Sequence, residues 1–146
     1  MRTKNFVRLI GGLVLWCGVA AAQNDGSGMR LQLLSGKTGR PVANQKVMLE
    51  RPDGMGLDGK KGGTAAVTDG EGYAAIPGSD ATLLAIAVEL HKPCSKTLKH
   101  TFDLGKVRAA GVVSENACKP RITLYPQPGT LVFFVRDMTW LEKMRK

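Results

Sequence analysis

The side chains in this chain that are best suited to chemistry are three cysteines and two histidines: Cys17, Cys94 and Cys118, with His91 and His100. None of them falls in a C-x-x-C pair, and neither histidine has the glutamate that a zinc peptidase motif requires three residues on. The chain also lacks a G-x-S-x-G nucleophile turn and a phosphate-cradling glycine loop. We therefore expect a non-enzymatic protein with no catalytic residue, no cofactor and no metal site.

The first 22 residues have the composition of a secretory signal peptide. Arg2, Lys4 and Arg8 supply positive charge without any acid, residues 9–19 are apolar, and the three alanines that end at Ala22 offer a small-residue cleavage site. The apolar segment is shorter than the roughly 20 residues that a membrane-spanning helix needs. We expect cleavage near Ala22, and hence a secreted or periplasmic protein without a transmembrane segment.

Removal of the signal peptide changes the cysteine count. Cys17 leaves with the signal, and Cys94 and Cys118 remain. In an oxidising compartment such a pair most simply forms a disulfide, which would stabilise the fold by about 3 to 4 kcal/mol on the chain-entropy estimate. A metal-binding or redox-active thiol pair is the alternative, but no nearby histidine cluster supports it. We predict a disulfide between Cys94 and Cys118.

The signal peptide also carries three of the 21 basic residues, so its removal lowers the formal net charge from +9 to +6. The remaining charge is scattered, with denser groups at residues 92–108 and 143–146. Such a domain can bind an acidic protein, lipid headgroups or an anionic envelope polymer, but we prefer the interpretation that the charge serves solubility alone. No motif of interleaved aromatic and basic residues indicates nucleic-acid binding. We expect a protein or an envelope polymer as the partner; its identity and the oligomeric state stay open.

The rest of the chain alternates apolar and polar residues over short segments that end in turn-forming residues. This pattern is typical of an all-β protein, here a single β-sandwich of about seven to nine strands. Two segments are expected to form a hairpin around residues 69–72, and a third, at 82–90, is apolar on both faces and predicts a central strand covered on both sides. The predicted strands are 29–35, 46–51, 64–68, 73–77, 82–90, 97–104 (with His100 on the inner face), 107–113, 121–125 and 130–136.

The C-terminal residues differ in pattern. Thr139 and Glu142 fit a capping box, which predicts about two turns of helix with Trp140, Leu141 and Met144 on one side. Either this side covers an open end of the sandwich, which we prefer because so short a helix binds bilayers weakly, or it contacts a partner or a membrane surface. The candidate contact residues for the second case are Trp140, Leu141, Lys143, Arg145 and Lys146.

The chain thus divides into a signal peptide (1–22), a disordered leader (23–28), a β-sandwich domain (29–137) and a short basic amphipathic tail (138–146). Several acidic side chains lie in the predicted loops of the domain, where their oxygens could converge on a calcium ion. Acidic residues beside glycine are more often plain turn formers, and we prefer that interpretation. The residues concerned are Asp53, Asp58, Asp69, Glu71 and Asp80.

Two motifs in the first half of the domain resemble a known family. Residues 39–44 read G-R-P-V-A-N and lead into the V-M-L of residues 47–49, and residues 68–73 read T-D-G-E-G-Y. Together they resemble the carboxypeptidase regulatory-like domains, small transthyretin-like β-sandwiches often found in secreted bacterial proteins. The resemblance implies an immunoglobulin- or transthyretin-like sandwich with a spacer, folding or binding role. The less typical second half, with its cysteine pair, implies a disulfide-stabilised variant.

Tyrosine and histidine are the residue types that hold ferric iron in intradiol dioxygenases, which are built on a related sandwich. In that family both tyrosines precede a His-x-His pair, whereas here the order is Tyr73, His91, His100 and Tyr125. We expect instead that Tyr73 is a core aromatic and that His100 is partly buried in its strand. The sequence therefore favours a secreted non-enzymatic accessory or binding domain. The alternatives are a structural or adhesion module of a cell-envelope complex and a dioxygenase-like metalloenzyme.

Overall fold

The computed structural model describes residues 28–97 and 100–145. The predicted signal peptide, residues 23–27 of the predicted leader, Leu98, Lys99 and Lys146 lie outside the described residues. In the described part, none of the helices is both long and apolar enough to cross a membrane. In chain order its elements are β1 (Met29–Ser35), β2 (Lys46–Glu50), β3 (Thr64–Val67), β4 (Tyr73–Ile76), β5 (Leu83–Val88), β6 (His91–Pro93), β7 (Thr101–Asp103), α1 (Leu104–Ala110), β8 (Val112–Val113), β9 (Thr130–Asp137) and α2 (Trp140–Met144).

The strands form two sheets. The five-stranded sheet has the order β4-β1-β9-β6, with β8 also paired to β9, and the four-stranded sheet has the order β3-β2-β5-β7. Strands β1 and β8 run parallel to β9, and the other neighbours are antiparallel. The prediction of an all-β fold with a short C-terminal helix is confirmed.

The two sheets pack against each other through one apolar cluster. Alternate residues of each strand point into it, because successive side chains of a strand lie on opposite faces. Leu31 and Phe133 enter it from the five-stranded sheet, and Val47, Leu49 and Leu84 from the four-stranded sheet, all of them buried. Burial of each large apolar side chain stabilises a fold by roughly 1.5–3 kcal/mol, so this cluster is the main attachment between the sheets.

Strand β9 is buried on both faces over its first six residues. On the side away from the main cluster, Val132 and Phe134 pack with Leu34 and Cys94 in a second cluster, and Cys118 packs against it. Cys94 and Cys118 are joined by the predicted disulfide, with an S–S distance of 2.08 Å. The disulfide therefore covers the outer side of the five-stranded sheet where β9 would otherwise expose apolar residues.

The predicted hairpin between β3 and β4 is wrong, because β3 pairs with β2 and β4 pairs with β1 in the other sheet. The turn itself is present, since the Asp69 N–H donates to the Tyr73 carbonyl at 2.8 Å. Just before it, the buried Thr68 hydroxyl donates to the Val42 carbonyl at 2.8 Å and accepts from the Gln45 N–H at 2.9 Å. These bonds tie the turn to the loop before β2, and the chain crosses between the sheets here.

The prediction for residues 82–90 is correct in position and wrong in burial. Strand β5 lies inside its sheet, between β2 and β7. Leu84 and Ile86 face the core and are buried, but Leu83 is 41% exposed and Ala87 is exposed. One face of β5 is therefore open in the single chain.

Helix α1 replaces part of the strand predicted at residues 107–113. The Asp103 carboxylate caps it by accepting a hydrogen bond from the Lys106 N–H at 3.1 Å, and Gly111 ends it with a φ of +78°. Leu104 and Val107 bury themselves in the core from one side of this short helix, three residues apart. A helix this short leaves too few apolar positions to distinguish its period from alternation.

Two other predicted strands also differ from the structure. Of the strand predicted at 97–104, residues 101–103 form β7 and Leu104 already belongs to α1, while Leu98 and Lys99 lie outside the described residues. Residues 121–125 form no strand. Ile122 of that segment packs instead against the disulfide cluster, and its N–H donates to the Lys119 carbonyl at 3.1 Å. The apolar residues at 121–125 therefore belong to a loop, and Ile122 of this loop covers the outer side of the five-stranded sheet.

Candidate functional site

Helix α2 is held at its N-terminus by hydrogen bonds. Thr139 is the N-cap, and both bonds of the predicted capping box with Glu142 are present. The Glu142 carboxylate also accepts hydrogen bonds from both terminal nitrogens of Arg136, at 2.8 and 2.9 Å. These bonds hold the pKa of the Glu142 carboxyl well below its usual range and raise the pKa of Arg136. Because Arg136 belongs to β9, the helix is fixed to the five-stranded sheet.

Three large apolar side chains of α2 nevertheless face solvent. The exposed fractions are 70% for Trp140, 62% for Leu141 and 65% for Met144. Met138, just before the helix, is buried, so the segment contacts the fold through Met138 and the Arg136–Glu142 pair. The preferred expectation that the apolar side of this helix covers an end of the sandwich is therefore wrong.

Basic side chains accompany the apolar ones. Lys143 and Arg145 are exposed, and Lys146 lies outside the described residues. The helix thus presents apolar and positively charged groups together on an anchored element. We call this set the tail surface; its residues are Trp140, Leu141, Lys143, Met144 and Arg145.

Leu90 is a further candidate that the alternation of residues does not reveal. Its φ is +62°, a region that residues other than Gly, Asn and Asp rarely adopt, and its side chain is 53% exposed. Its carbonyl accepts a hydrogen bond from the Met138 N–H at 3.3 Å. Residues held in such conformations cluster at binding and active sites. The turn between β5 and β6, which is hydrogen-bonded to Met138 just before α2, thus displays one more exposed apolar side chain.

A shallow groove of about 560 Å³ lies between β5, β6 and the start of α2, and it contains both histidines. His91 has its Nε2 3.1 Å from the Asp137 carboxylate and its Nδ1 3.1 Å from the Glu89 carbonyl. His100 is half-buried and packs edge-on against Phe133 with ring centroids 5.8 Å apart, as its predicted inner position requires, but it lies just before β7 and not in a strand. Burial lowers the pKa of His100. Both imidazoles therefore have structural contacts that fix them in place.

The two tyrosines lie elsewhere. Tyr73 is half-buried on the outer side of β4, where the Arg30 guanidinium carbon sits 4.3 Å from its ring centroid. The expectation that Tyr73 is a core aromatic is therefore wrong. Tyr125 is 91% exposed, and the described lining of the histidine groove includes neither tyrosine. The structure does not bring the four side chains of the dioxygenase comparison together.

The loop acids make local contacts. Asp53 and Asp80 lie 3.6 and 3.7 Å from the Arg51 guanidinium, and Asp58 and Asp69 each accept a hydrogen bond from the backbone N–H two residues on. The second arrangement is the Asx turn that favours Asp before glycine. Within residues 28–97 and 100–145, no three His, Cys, Asp or Glu side chains are grouped so that they could hold a metal ion.

Comparison of the chain with family models, with curated proteins and with solved structures found no match. Within the described chain, the tail surface is a feature that the fold itself does not explain.

Proposed function

We propose that this protein is a secreted, non-enzymatic binding domain with a transthyretin-like sandwich, and that it binds its partner through the tail surface. One observation carries the proposal: Trp140, Leu141 and Met144 are exposed on a helix that is otherwise anchored firmly. An apolar helix face packs against the rest of the fold in most folded proteins, whereas here each of the three large apolar side chains is more than half exposed in the described chain. A partner supplies the missing contact.

The energetics favour binding at this place. Burying one large apolar side chain contributes roughly 1.5–3 kcal/mol, and tryptophan is among the residues that most often dominate an interface. The capping box and the Arg136–Glu142 pair hold the helix in place before binding. Less conformational freedom is then lost when the complex forms, so more of the burial energy appears as affinity.

The charges indicate the chemistry of the partner. Lys143 and Arg145 are both exposed next to the apolar side chains. Complementary charge speeds association and selects against wrong partners. We therefore propose an acidic protein or an anionic envelope polymer that also presents an apolar patch. A partner that stays bound in fixed stoichiometry would make the protein a structural module of an envelope complex.

Co-purification from the source cells tests the proposal. The tagged full chain is compared with the Trp140→Ala/Leu141→Ala/Met144→Ala variant, and thermal unfolding confirms that the variant still folds. The matched control is the Leu124→Ala/Tyr125→Ala variant, which removes two other exposed side chains. In the parent chain Leu124 is 41% exposed and Tyr125 is 91% exposed. We expect partners to be lost with the tail variant and kept with the control. Partners kept by both variants would overturn the proposal.

A further inference from the structure

The outer face of the four-stranded sheet is apolar and yet open to solvent. Val67 is 63% exposed and Leu83 is 41% exposed on it. A strand that is apolar on both faces, as β5 is, normally lies covered on both sides. We call this surface the open face; besides Val67 and Leu83 it contains Lys46, Met48, Glu50, Ala65, Ala85, Ala87, Thr101 and Asp103.

The register of the sheet gives the open face a symmetric pattern. Met48 lies opposite Ala65 of β3 and opposite Ala87 of β5, so these three form a row across the middle of the face. Lys46 and Glu50 lie two residues before and two residues after Met48, on the same side of β2. Strand β2 therefore carries one positive and one negative charge at equal distances from the central row, and the exposed Asp103, opposite Leu83 at the β7 edge, adds a second negative charge to the face.

We propose that the open face binds a second copy of this chain. A twofold axis can lie between the open faces of two copies, parallel to the central row. It packs the row of each copy on the same row of the other copy, with the two β2 strands antiparallel. Lys46 of each copy then faces Glu50 of the other, so the contact forms two ion pairs. Such self-complementary twofold contacts are the commonest way in which proteins form oligomers.

The residue types suit this contact. Facing sheets pack about 10 Å apart, and the alanines of the central row allow that approach without collision. Met48 is unbranched and flexible, which lets it adapt to its own symmetry copy. Across this gap the long side chains of Lys46 and Glu50 can meet. The second copy would supply the cover that β5 lacks in the single chain.

The size of the face sets the strength of the contact. Four strands about 4.8 Å apart, each about five residues long at about 3.3 Å per residue, give a patch of roughly 19 by 17 Å. Counted over both copies, the interface is roughly 650 Å², below the roughly 1,200–2,000 Å² of the specific class, so the contact is weak and reversible. We expect a dimer with a dissociation constant of roughly 100 μM, which ion pairs at its rim can tune.

Sedimentation equilibrium on the full mature chain, from roughly 10 μM to 1 mM, measures this association. Lys46→Glu and Glu50→Lys each turn two attractions into two repulsions, so each is expected to weaken dimerisation about tenfold. The double variant Lys46→Glu/Glu50→Lys exchanges the charges and should restore it. Ala87→Arg, which places a bulky charge in the central row, should abolish it.

The controls separate this contact from other causes. Lys60→Glu makes the same change in net charge as Lys46→Glu but in the exposed loop after β2, and it should leave the dissociation constant unchanged. The tail variant should also dimerise normally, so failure of the tail surface and failure of the open face can be told apart. A chain that is monomeric at 1 mM would overturn the proposal, and so would a double charge swap that binds no better than the single swaps.

Discussion

Breaking the disulfide should strongly destabilise this fold. Cys94 and Cys118 are 24 residues apart in sequence, and Cys94 is buried beside Phe134 in the cluster behind β9. Reduction cuts the cross-link but leaves both sulfur atoms in place. The double variant Cys94→Ala/Cys118→Ala cuts the cross-link and also removes the sulfur atoms from the cluster. Comparing the two treatments separates chain entropy from packing.

The magnitude follows from the length of the closed loop. For a loop of this size the chain-entropy estimate is about 3.5 kcal/mol. A domain of about 120 residues unfolds with an entropy near 0.25 kcal/mol/K, so reduction should lower the Tm by about 14 °C. The alanine variant should lose about 1–2 kcal/mol more, because small voids then replace the sulfur atoms next to Phe134.

Thermal unfolding followed by far-UV circular dichroism, with and without a phosphine reductant, measures both losses. Intact mass must first show the oxidised form, which is lighter by two hydrogens. A Tm that falls by less than about 3 °C on reduction would refute the reasoning, because the cross-link would then contribute under 1 kcal/mol. If the alanine variant is no less stable than the reduced protein, the sulfur atoms contribute nothing through their packing against Phe134, and only that part of the expectation fails.

Three further outcomes follow from other contacts. Thr68→Val should lower the free energy of unfolding by about 2–3 kcal/mol and Thr68→Ser by about 1 kcal/mol or less, because only valine leaves without a hydrogen bond the two backbone groups that the hydroxyl contacts. Chemical denaturation measures both losses, and equal losses would contradict this expectation. Gly111→Ala should lower the free energy of unfolding by about 3 kcal/mol or more, since its φ is +78° and its new Cβ would collide with the Gln127 backbone. Gly70→Ala is the control, because the new Cβ there meets open space, and it should be nearly neutral. The Glu142 carboxyl should titrate below its ordinary value of 4.5 when its side-chain carbon is followed by NMR, and Arg136→Ala should return it towards that value. The sign follows from the depressed pKa: the bond to Arg136 stabilises the α2 anchor fully above about pH 4.5, and that support is lost as the pH falls through the lower pKa.

The strands that the sequence predicts well are short apolar or alternating segments with a clear turn before them. The predicted segments 29–35, 46–51 and 130–136 match β1, β2 and β9 to within one residue at each end. Their inward residues are large and aliphatic or aromatic, and glycine, proline or asparagine precedes each of them closely. Local pattern and tertiary packing agree at these places, so a local signal suffices.

The failures occur where tertiary contacts decide. The turn at residues 69–72 has hairpin chemistry, but the hydrogen bonds of Thr68 to the loop before β2 send β4 into the other sheet. Helix α1 depends on a cap at Asp103 and on two inward residues, too few to show a helical period. Neither contact can be read from the neighbouring residues alone.

The candidate site was predictable in composition but not in orientation. The capping box and the apolar residues of α2 can be read from the sequence, and the structure confirms the helix. Whether these residues face the sheets or solvent depends on Arg136, since its bond to Glu142 fixes the direction of the helix. Arg136 lies at the end of β9 as an ordinary strand residue, and its position opposite Glu142 is visible only in three dimensions.

The central claim is that the tail surface binds a partner, and site-specific photo-crosslinking tests it most directly. A photoreactive amino acid replaces Trp140 in one protein and Lys60, an exposed loop residue, in another, and both are illuminated in the source cells. We expect a discrete crosslinked species from position 140 that position 60 does not give. No crosslink from position 140, or the same crosslinks from both positions, would contradict it.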